Sequence, residues 1–186
     1  MYPVIRMFWQ YAKARREKRL LFTGTHVSHH FCLPWDIDLW MELNNGRTLT
    51  LYDMGRIPFA YRVGLIDALR KNRWGLTMAG ASVRYRRRIR MFEKIEMRSR
   101  VAFWDERFMY VEQSMWKKNG ECANHILYRA AITSATGMIV PADAAKEAGQ
   151  SAEPPQAPEW VLAWIKADSV RPWPPMQEDL ATLARS

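Results

Sequence analysis

Two carboxylates and two asparagines lie close together in the first third of this 186-residue chain. Asp36 and Asp38 follow a strand-like segment, and Asn44 and Asn45 precede a long apolar segment that is typical of a helix. The first N–H groups of a helix have no partner within it, so they and the helix dipole can stabilise negative charge on a carbonyl oxygen. A carboxylate beside such a site is what acyl transfer or ester hydrolysis requires. The alternative is structural, because aspartates in loops commonly cap helices or form turns.

The acidic pair belongs to a longer series of motifs. The pattern Asp36-x-Asp38 followed by Asn44-Asn45-Gly46-Arg47 resembles the hotdog-fold acyl-CoA thioesterases of the 4-hydroxybenzoyl-CoA thioesterase type, in their branch with D-x-D and N-N-G-R sequences. The likeness continues downstream in the segments 52–56, 83–87, 92–93, 99–101, 104–106 and 158–164. Several motifs in the same order are much more specific than one short match.

The resemblance implies a function as well as a fold. It predicts hydrolysis of an acyl-CoA thioester to a carboxylic acid and CoA, with no cofactor other than the coenzyme carried by the substrate. Asp38 matches the catalytic aspartate of these proteins, as a nucleophile that forms an anhydride or as a general base on water. The backbone N–H of Asn45 would polarise the thioester carbonyl. The resemblance also implies a homodimer or higher homo-oligomer, with sheets joined edge to edge.

Two positions depart from the family pattern. Glu42 stands where these proteins usually have histidine, and Thr48 stands where they usually have tyrosine. Close to Asp38, Glu42 would repel its charge and raise the pKa of one of the two carboxyls. Glu42 is therefore a third catalytic candidate beside Asp38 and Asn45, or the mark of a site whose reaction has drifted. The alternative function is a non-catalytic hotdog protein that binds acyl-CoA or lipid.

Basic side chains supply the candidates for substrate binding. Arg84, Arg86, Arg88 and Arg90 occupy alternate positions of a predicted strand, so its period of two would place them on one face. Arginine suits phosphate by charge and by geometry, and CoA carries several phosphates. A solvated sheet face is the alternative. The predicted substrate-binding residues are Asn44, Arg56, Arg86, Arg88 and Arg90. The spacing of the histidines and cysteines predicts no metal site.

The net charge of +9 requires an anionic partner or a solvated surface. Nucleic acid, an anionic membrane and a phosphate-bearing coenzyme all fit such a charge. We expect the coenzyme and no nucleic acid, with peripheral membrane contact through the basic N-terminal helix as a further hypothesis. Two cysteines cannot form a disulfide framework, which favours a reducing, cytoplasmic setting.

The pattern of elements predicts an α+β hotdog fold, in which an antiparallel sheet of about five strands wraps around one long central helix. Pro58 should kink or interrupt that helix. The predicted strands are 22–33, 76–90, 94–104, 107–118 and 121–135, with hairpin turns at Asp105-Glu106 and Asn119-Gly120. The predicted organisation is a basic amphipathic helix at 1–19, a hotdog domain at 20–150, and a Pro-rich linker with a short helical extension at 151–186.

Overall fold

The computed structural model describes residues 2–176. The chain divides into two compact units between Gln156 and Ala157, and the N-terminal helix is part of the first unit. The elements of the first unit are α1 (Val4–Ala14), β1 (His26–Phe31), a 3-10 helix (Pro34–Asp36), α2 (Asn45–Arg62), α3 (Leu65–Asn72), β2 (Gly75–Tyr85), β3 (Lys94–Trp104), β4 (Met109–Lys117), β5 (Cys122–Ser134), β6 (Gly137–Ile139) and α4 (Pro141–Glu147). The second unit contains α5 (Glu159–Ser169).

The strands form one antiparallel sheet in the order β1-β3-β4-β5-β2, and the short β6 pairs with β5. Asp105 closes the turn between β3 and β4 by accepting hydrogen bonds from the N–H groups of Arg107 and Phe108. Asn119 and Gly120 lie in the turn between β4 and β5. The prediction of an α+β fold with an antiparallel sheet and one long helix is confirmed.

The core lies between α2 and the inner face of the sheet. Leu51, Tyr52 and Met54 of α2 have no exposed surface, nor do Met97 of β3 and Ile126 of β5. The buried residues of α2 occupy more than one face of the helix, as its sequence predicts.

Gly55 allows α2 and β3 to approach closely. A Cβ atom at this position would overlap Met97 Sδ and lie 3.0 Å from Ser99 Oγ. A larger residue would therefore require these buried side chains of β3 to shift.

The structure corrects two local predictions. Pro58 does not interrupt α2, which continues to Arg62, because Pro58 is buried and core packing on both sides of it outweighs the missing hydrogen bond. The strand predicted at 76–90 ends at Tyr85. The N–H groups of Arg86 and Arg87 both donate to the Ala123 carbonyl, which breaks the alternation of side chains between the two faces of the strand. The four arginines from Arg84 to Arg90 therefore do not share one strand face.

Candidate active site

Asn44 caps α2 and leaves one backbone donor open. Its Oδ1 accepts hydrogen bonds from the N–H groups of Gly46 at 2.9 Å and Arg47 at 3.1 Å. The N–H of Thr48 donates to the Asn44 carbonyl at 2.8 Å. Within residues 2–176 the Asn45 N–H has no acceptor, so it remains available at the positive end of the helix dipole.

A pocket of about 180 Å³ lies beside this helix end. It is lined by Glu42, Leu43, Asn45, Thr48, Tyr85, Arg86, Arg87, Arg88, Ile89 and Asn124. Asn124 is only 3% exposed, and its Oδ1 accepts a hydrogen bond from the buried Tyr52 hydroxyl. The Asn124 amide nitrogen donates to no other described residue, so it is a second open donor in the pocket.

Glu42 is the carboxylate among the residues that line the pocket. Its Oε2 lies 2.9 Å from Arg88 Nε, but this oxygen has no aligned hydrogen bond among the described residues. The Leu43 N–H donates to the Ile89 carbonyl, and Glu42 forms a backbone bridge with Arg90. These contacts hold the turn that contains Asp38 and Glu42 against the arginine-rich segment 86–90, which follows β2.

Asp38 forms the turn that presents Glu42. Its Oδ1 accepts a hydrogen bond from the Trp40 N–H at 2.9 Å and a longer contact from the Glu42 N–H at 3.5 Å. The backbone N–H of Asp38 donates to the Glu42 carbonyl. Asp38 is outside the set of residues that line the pocket, four positions before Glu42.

Asp36 is fully buried and joins two elements. Its carboxylate lies 2.7 Å from Arg6 of α1 and 2.7 Å from Arg47 of α2. Burial alone would raise its pKa, but hydrogen bonds from Arg47, Arg6 and the Leu33 N–H hold the pKa of this carboxyl below its ordinary value. Asp36 is therefore ionised and structural at neutral pH.

The predicted substrate-binding residues separate into two groups. Arg86 and Arg88 line the pocket, whereas Asn44, Arg56 and Arg90 do not. The guanidinium of Arg56 is engaged elsewhere: it pairs with Asp53, lies 3.4 Å from Gln113 Oε1 and stacks 3.8 Å from the centre of the Tyr128 ring.

Tyr85 and Asn124 line the pocket, although no sequence motif predicts a role for them. They are partners in the register of β2 and β5, and the Tyr85 hydroxyl donates to the Asn45 carbonyl at 3.4 Å. Strand pairing brings residues 39 positions apart into contact, and no local motif marks such a pair. Thr48 stands out in the sequence only as a departure from the family pattern.

Two further features concern the described residues as a whole. Within residues 2–176, no three histidine, cysteine or acidic side chains are grouped so that they could hold a metal ion. No helix in that range has both the length and the apolar composition that crossing a bilayer requires.

Comparison with known proteins identifies the family. The model of the Thioesterase-like superfamily matches residues 32–165. Protein THEM6 of Xenopus laevis is 32% identical over 143 residues, which cover 76% of this chain and 67% of that protein. The DHNA-CoA thioesterase from Staphylococcus aureus shares the fold with a TM-score of 0.57 at 13% identity, over 78% of this chain and 92% of that one. The Staphylococcus aureus protein SAV2348, solved in complex with CoA, gives a TM-score of 0.60 at 10% identity, over 78% and 96%.

These matches confirm the resemblance that the motifs indicated. At such low identity the solved structures establish the fold alone, and that fold is the predicted hotdog arrangement. The family match includes the turn that contains Asp38 and Glu42, helix α2 and strands β2 to β6. The chain belongs to the thioesterase-like superfamily.

Proposed function

We propose that this protein hydrolyses acyl-CoA thioesters to a carboxylic acid and free CoA in the pocket at the start of α2. One observation carries the proposal: the Glu42 carboxylate and two open donors, the Asn45 N–H and the Asn124 amide, belong to the same pocket. The fold shared with a protein solved in complex with CoA supports the choice of substrate class.

In the proposed reaction Glu42 acts as the general base. It takes a proton from a water molecule, whose oxygen attacks the carbonyl carbon of the thioester. Negative charge develops on the carbonyl oxygen and is stabilised by the Asn45 N–H and the Asn124 amide. The C–S bond then breaks, and the departing sulfur of CoA receives the proton from Glu42. Direct attack by the carboxylate, through an anhydride that water then opens, gives the same products.

Asp38 has a different part in this proposal. The resemblance implies that Asp38 is the catalytic carboxylate, but its Oδ1 is engaged by the backbone of the turn that carries Glu42. We therefore assign Asp38 the positioning of Glu42, and we treat it as the second candidate for the base.

The basic segment after β2 is proposed to bind the phosphates of CoA. Arg86 and Arg88 line the pocket, and Arg86 forms no ion pair with the residues that the structure describes. Arg87 is already paired with Glu121 at 2.9 Å. A guanidinium without a carboxylate partner is free to form bidentate hydrogen bonds with a phosphate.

The cysteine count predicts a reducing, cytoplasmic setting, and this stays a prediction. Both thiols are unpaired in the structure.

We also propose that the protein forms a homodimer through β2. This strand of eleven residues is at one end of the sheet, and none of its residues is buried. Pairing with a second copy would satisfy its open backbone groups. The pocket adjoins the end of β2 at Tyr85, so a second chain there would lie close to the pocket.

Measurement of thiol release from a panel of acyl-CoA substrates tests the proposed activity. Glu42→Gln keeps the size of the side chain and removes the base, so kcat should fall by about 100-fold or more. Asp38→Asn is the matched variant, because an amide oxygen can still accept the turn's hydrogen bonds. We expect it to lose less than about tenfold, since only the position of Glu42 is affected.

The reverse order of these two losses would assign the chemistry to Asp38 instead. Full activity in both variants, with unchanged folding by circular dichroism, would exclude a carboxylate mechanism at this site.

Binding of acyl-CoA without turnover is the second candidate function. The ion pair between Glu42 and Arg88 favours it, because a carboxylate oxygen that contacts a guanidinium is less accessible to a water molecule. Calorimetric binding of acyl-CoA by a wild-type protein that releases no thiol would establish this alternative.

A further inference from the structure

The first helix turns an apolar face to solvent. Val4, Ile5, Phe8 and Trp9 are 51%, 86%, 68% and 63% exposed. Residues 5, 8 and 9 lie on one face of the helix, because side chains three and four positions apart are neighbours. A surface helix normally carries polar side chains on its outer face, so a cluster of large apolar groups there indicates a binding surface.

Contacts on the opposite face fix this orientation. The Tyr11 ring packs against Tyr61 of α2 with their centroids 4.9 Å apart. Arg6 reaches the buried Asp36 at 2.7 Å, and Gln10 donates to a backbone carbonyl of β1 at 3.0 Å. The helix therefore cannot rotate its apolar face inward without losing these contacts.

Positive charge follows the apolar face along the chain. α1 contains no acidic residue, and its last turn begins a basic segment at residues 13–19. The Lys13 ammonium lies 5.3 Å from the centroid of the Trp9 ring. In the part of the chain that the structure describes, the cations of this segment without an ion pair are Lys13, Arg15, Arg16 and Lys18.

We propose that this face of α1 binds the surface of an anionic phospholipid bilayer. A helix with aromatic and aliphatic side chains on one face and adjacent cations suits the boundary between headgroups and acyl chains. The cations would contact the lipid phosphates, while Phe8 and Trp9 enter the apolar layer. A second copy of the chain is a poorer partner, because twofold symmetry would bring the same four cations together. This proposal does not depend on the proposed hydrolysis.

A buried ion-pair chain connects this surface to the pocket. Asp36 binds Arg6 of α1 through Oδ2 and Arg47 of α2 through Oδ1. Arg47 belongs to the first turn of α2, where the pocket lies. Bilayer binding by α1 would therefore hold the pocket near the membrane surface.

Flotation of the full chain with lipid vesicles tests the proposal. The protein should bind vesicles of phosphatidylglycerol mixed with phosphatidylcholine at low salt, and much less at high salt or on pure phosphatidylcholine. Phe8→Ser combined with Trp9→Ser should lower the partition coefficient at least about tenfold, because two large apolar groups no longer enter the bilayer. Lys13→Gln and Arg16→Gln should each lower it about fivefold.

Matched variants elsewhere on the surface serve as controls. Trp173 is 89% exposed and Lys118 is also exposed, and neither lies on α1. Trp173→Ser and Lys118→Gln should leave vesicle binding unchanged. The proposal is overturned if the wild type does not bind anionic vesicles, or if the α1 variants bind as well as it does. A loss of oligomer mass in the α1 variants, without any vesicle binding by the wild type, would identify a second copy as the partner.

Discussion

At the scale of single residues, the candidate site depends on which polar atoms remain unpaired. Asn124 is buried on β5, and the hydroxyl of Tyr52 on α2 occupies its oxygen. This bond fixes the orientation of the amide, and Asn124 lines the pocket. The amide nitrogen donates to none of the described residues, so it can donate to a ligand in the pocket.

Replacement of Asn124 by alanine tests the hypothesis that its amide stabilises charge on the thioester oxygen. We expect kcat for acyl-CoA hydrolysis to fall by about 100-fold with a smaller change in KM, because the donor acts on charge that develops in the transition state. Tyr52→Phe keeps the amide but frees it to rotate, so its loss of activity should be smaller. Asn119→Ala, in an exposed turn, is the control and should behave like the wild type. An Asn124→Ala enzyme with kcat within about twofold of the wild type would assign this residue to the core alone.

Sequence reasoning succeeded where the signal is local. It predicted the hairpin turns at Asp105-Glu106 and Asn119-Gly120, because each depends on residues within a few positions of one another. It could not predict that Arg56 would be engaged by Gln113, 57 positions away. Such pairs depend on which helix face meets which strand.

At the scale of elements, β1 reverses the usual alternation of apolar and polar residues. His26, Ser28 and His30 point inward and are buried, whereas Val27 and Phe31 are exposed. The inward side chains have polar partners: His30 lies 2.8 Å from the Ser28 hydroxyl, and His26 lies 2.9 Å from a nitrogen of Arg62. A hydrophobic pattern alone would place this strand in the opposite orientation.

The buried histidines of β1 should make folding sensitive to pH. Burial and the charge of Arg62 lower the pKa of His26 to about 4, and burial and the charge of Arg6 lower that of His30 to about 3. Between the unfolded pKa of about 6.5 and these values, only the unfolded chain binds the protons, so stability falls as pH falls. We expect each histidine to lower the free energy of unfolding by roughly 2 kcal/mol between pH 7 and pH 5.

Urea unfolding at the two pH values measures this effect, and His29 supplies the control. His29 lies on the same strand but is exposed, so His29→Gln should leave the pH dependence unchanged. His26→Gln should remove about half of it, because one of the two buried titrating groups is then absent. Equal stability of the wild type at pH 7 and pH 5 would show that neither histidine is held neutral.

At the scale of the whole molecule, the sheet has one covered edge and one open edge. The covered edge is β1, where Arg6 and Gln10 of α1 donate to the carbonyls of Phe31 and His29. The open edge is β2, which pairs with β5 on one side only. Open strand edges of this length favour pairing with another chain, and α1 prevents it at the other end of the sheet.

The proposed dimer through β2 should be sensitive to charge on that strand. Thr77 and Ser82 pair with Ala131 and Leu127 of β5 and are exposed, on the strand face opposite the core. Thr77→Lys combined with Ser82→Lys should convert the dimer to a monomer in light scattering, because like charges would meet across the twofold axis. Val27→Lys adds charge at the covered edge and should leave the mass unchanged. Thiol release should fall with the loss of the dimer if the second chain completes the pocket beside Tyr85. A lysine double variant with the mass of the wild type would place the subunit interface elsewhere on the surface.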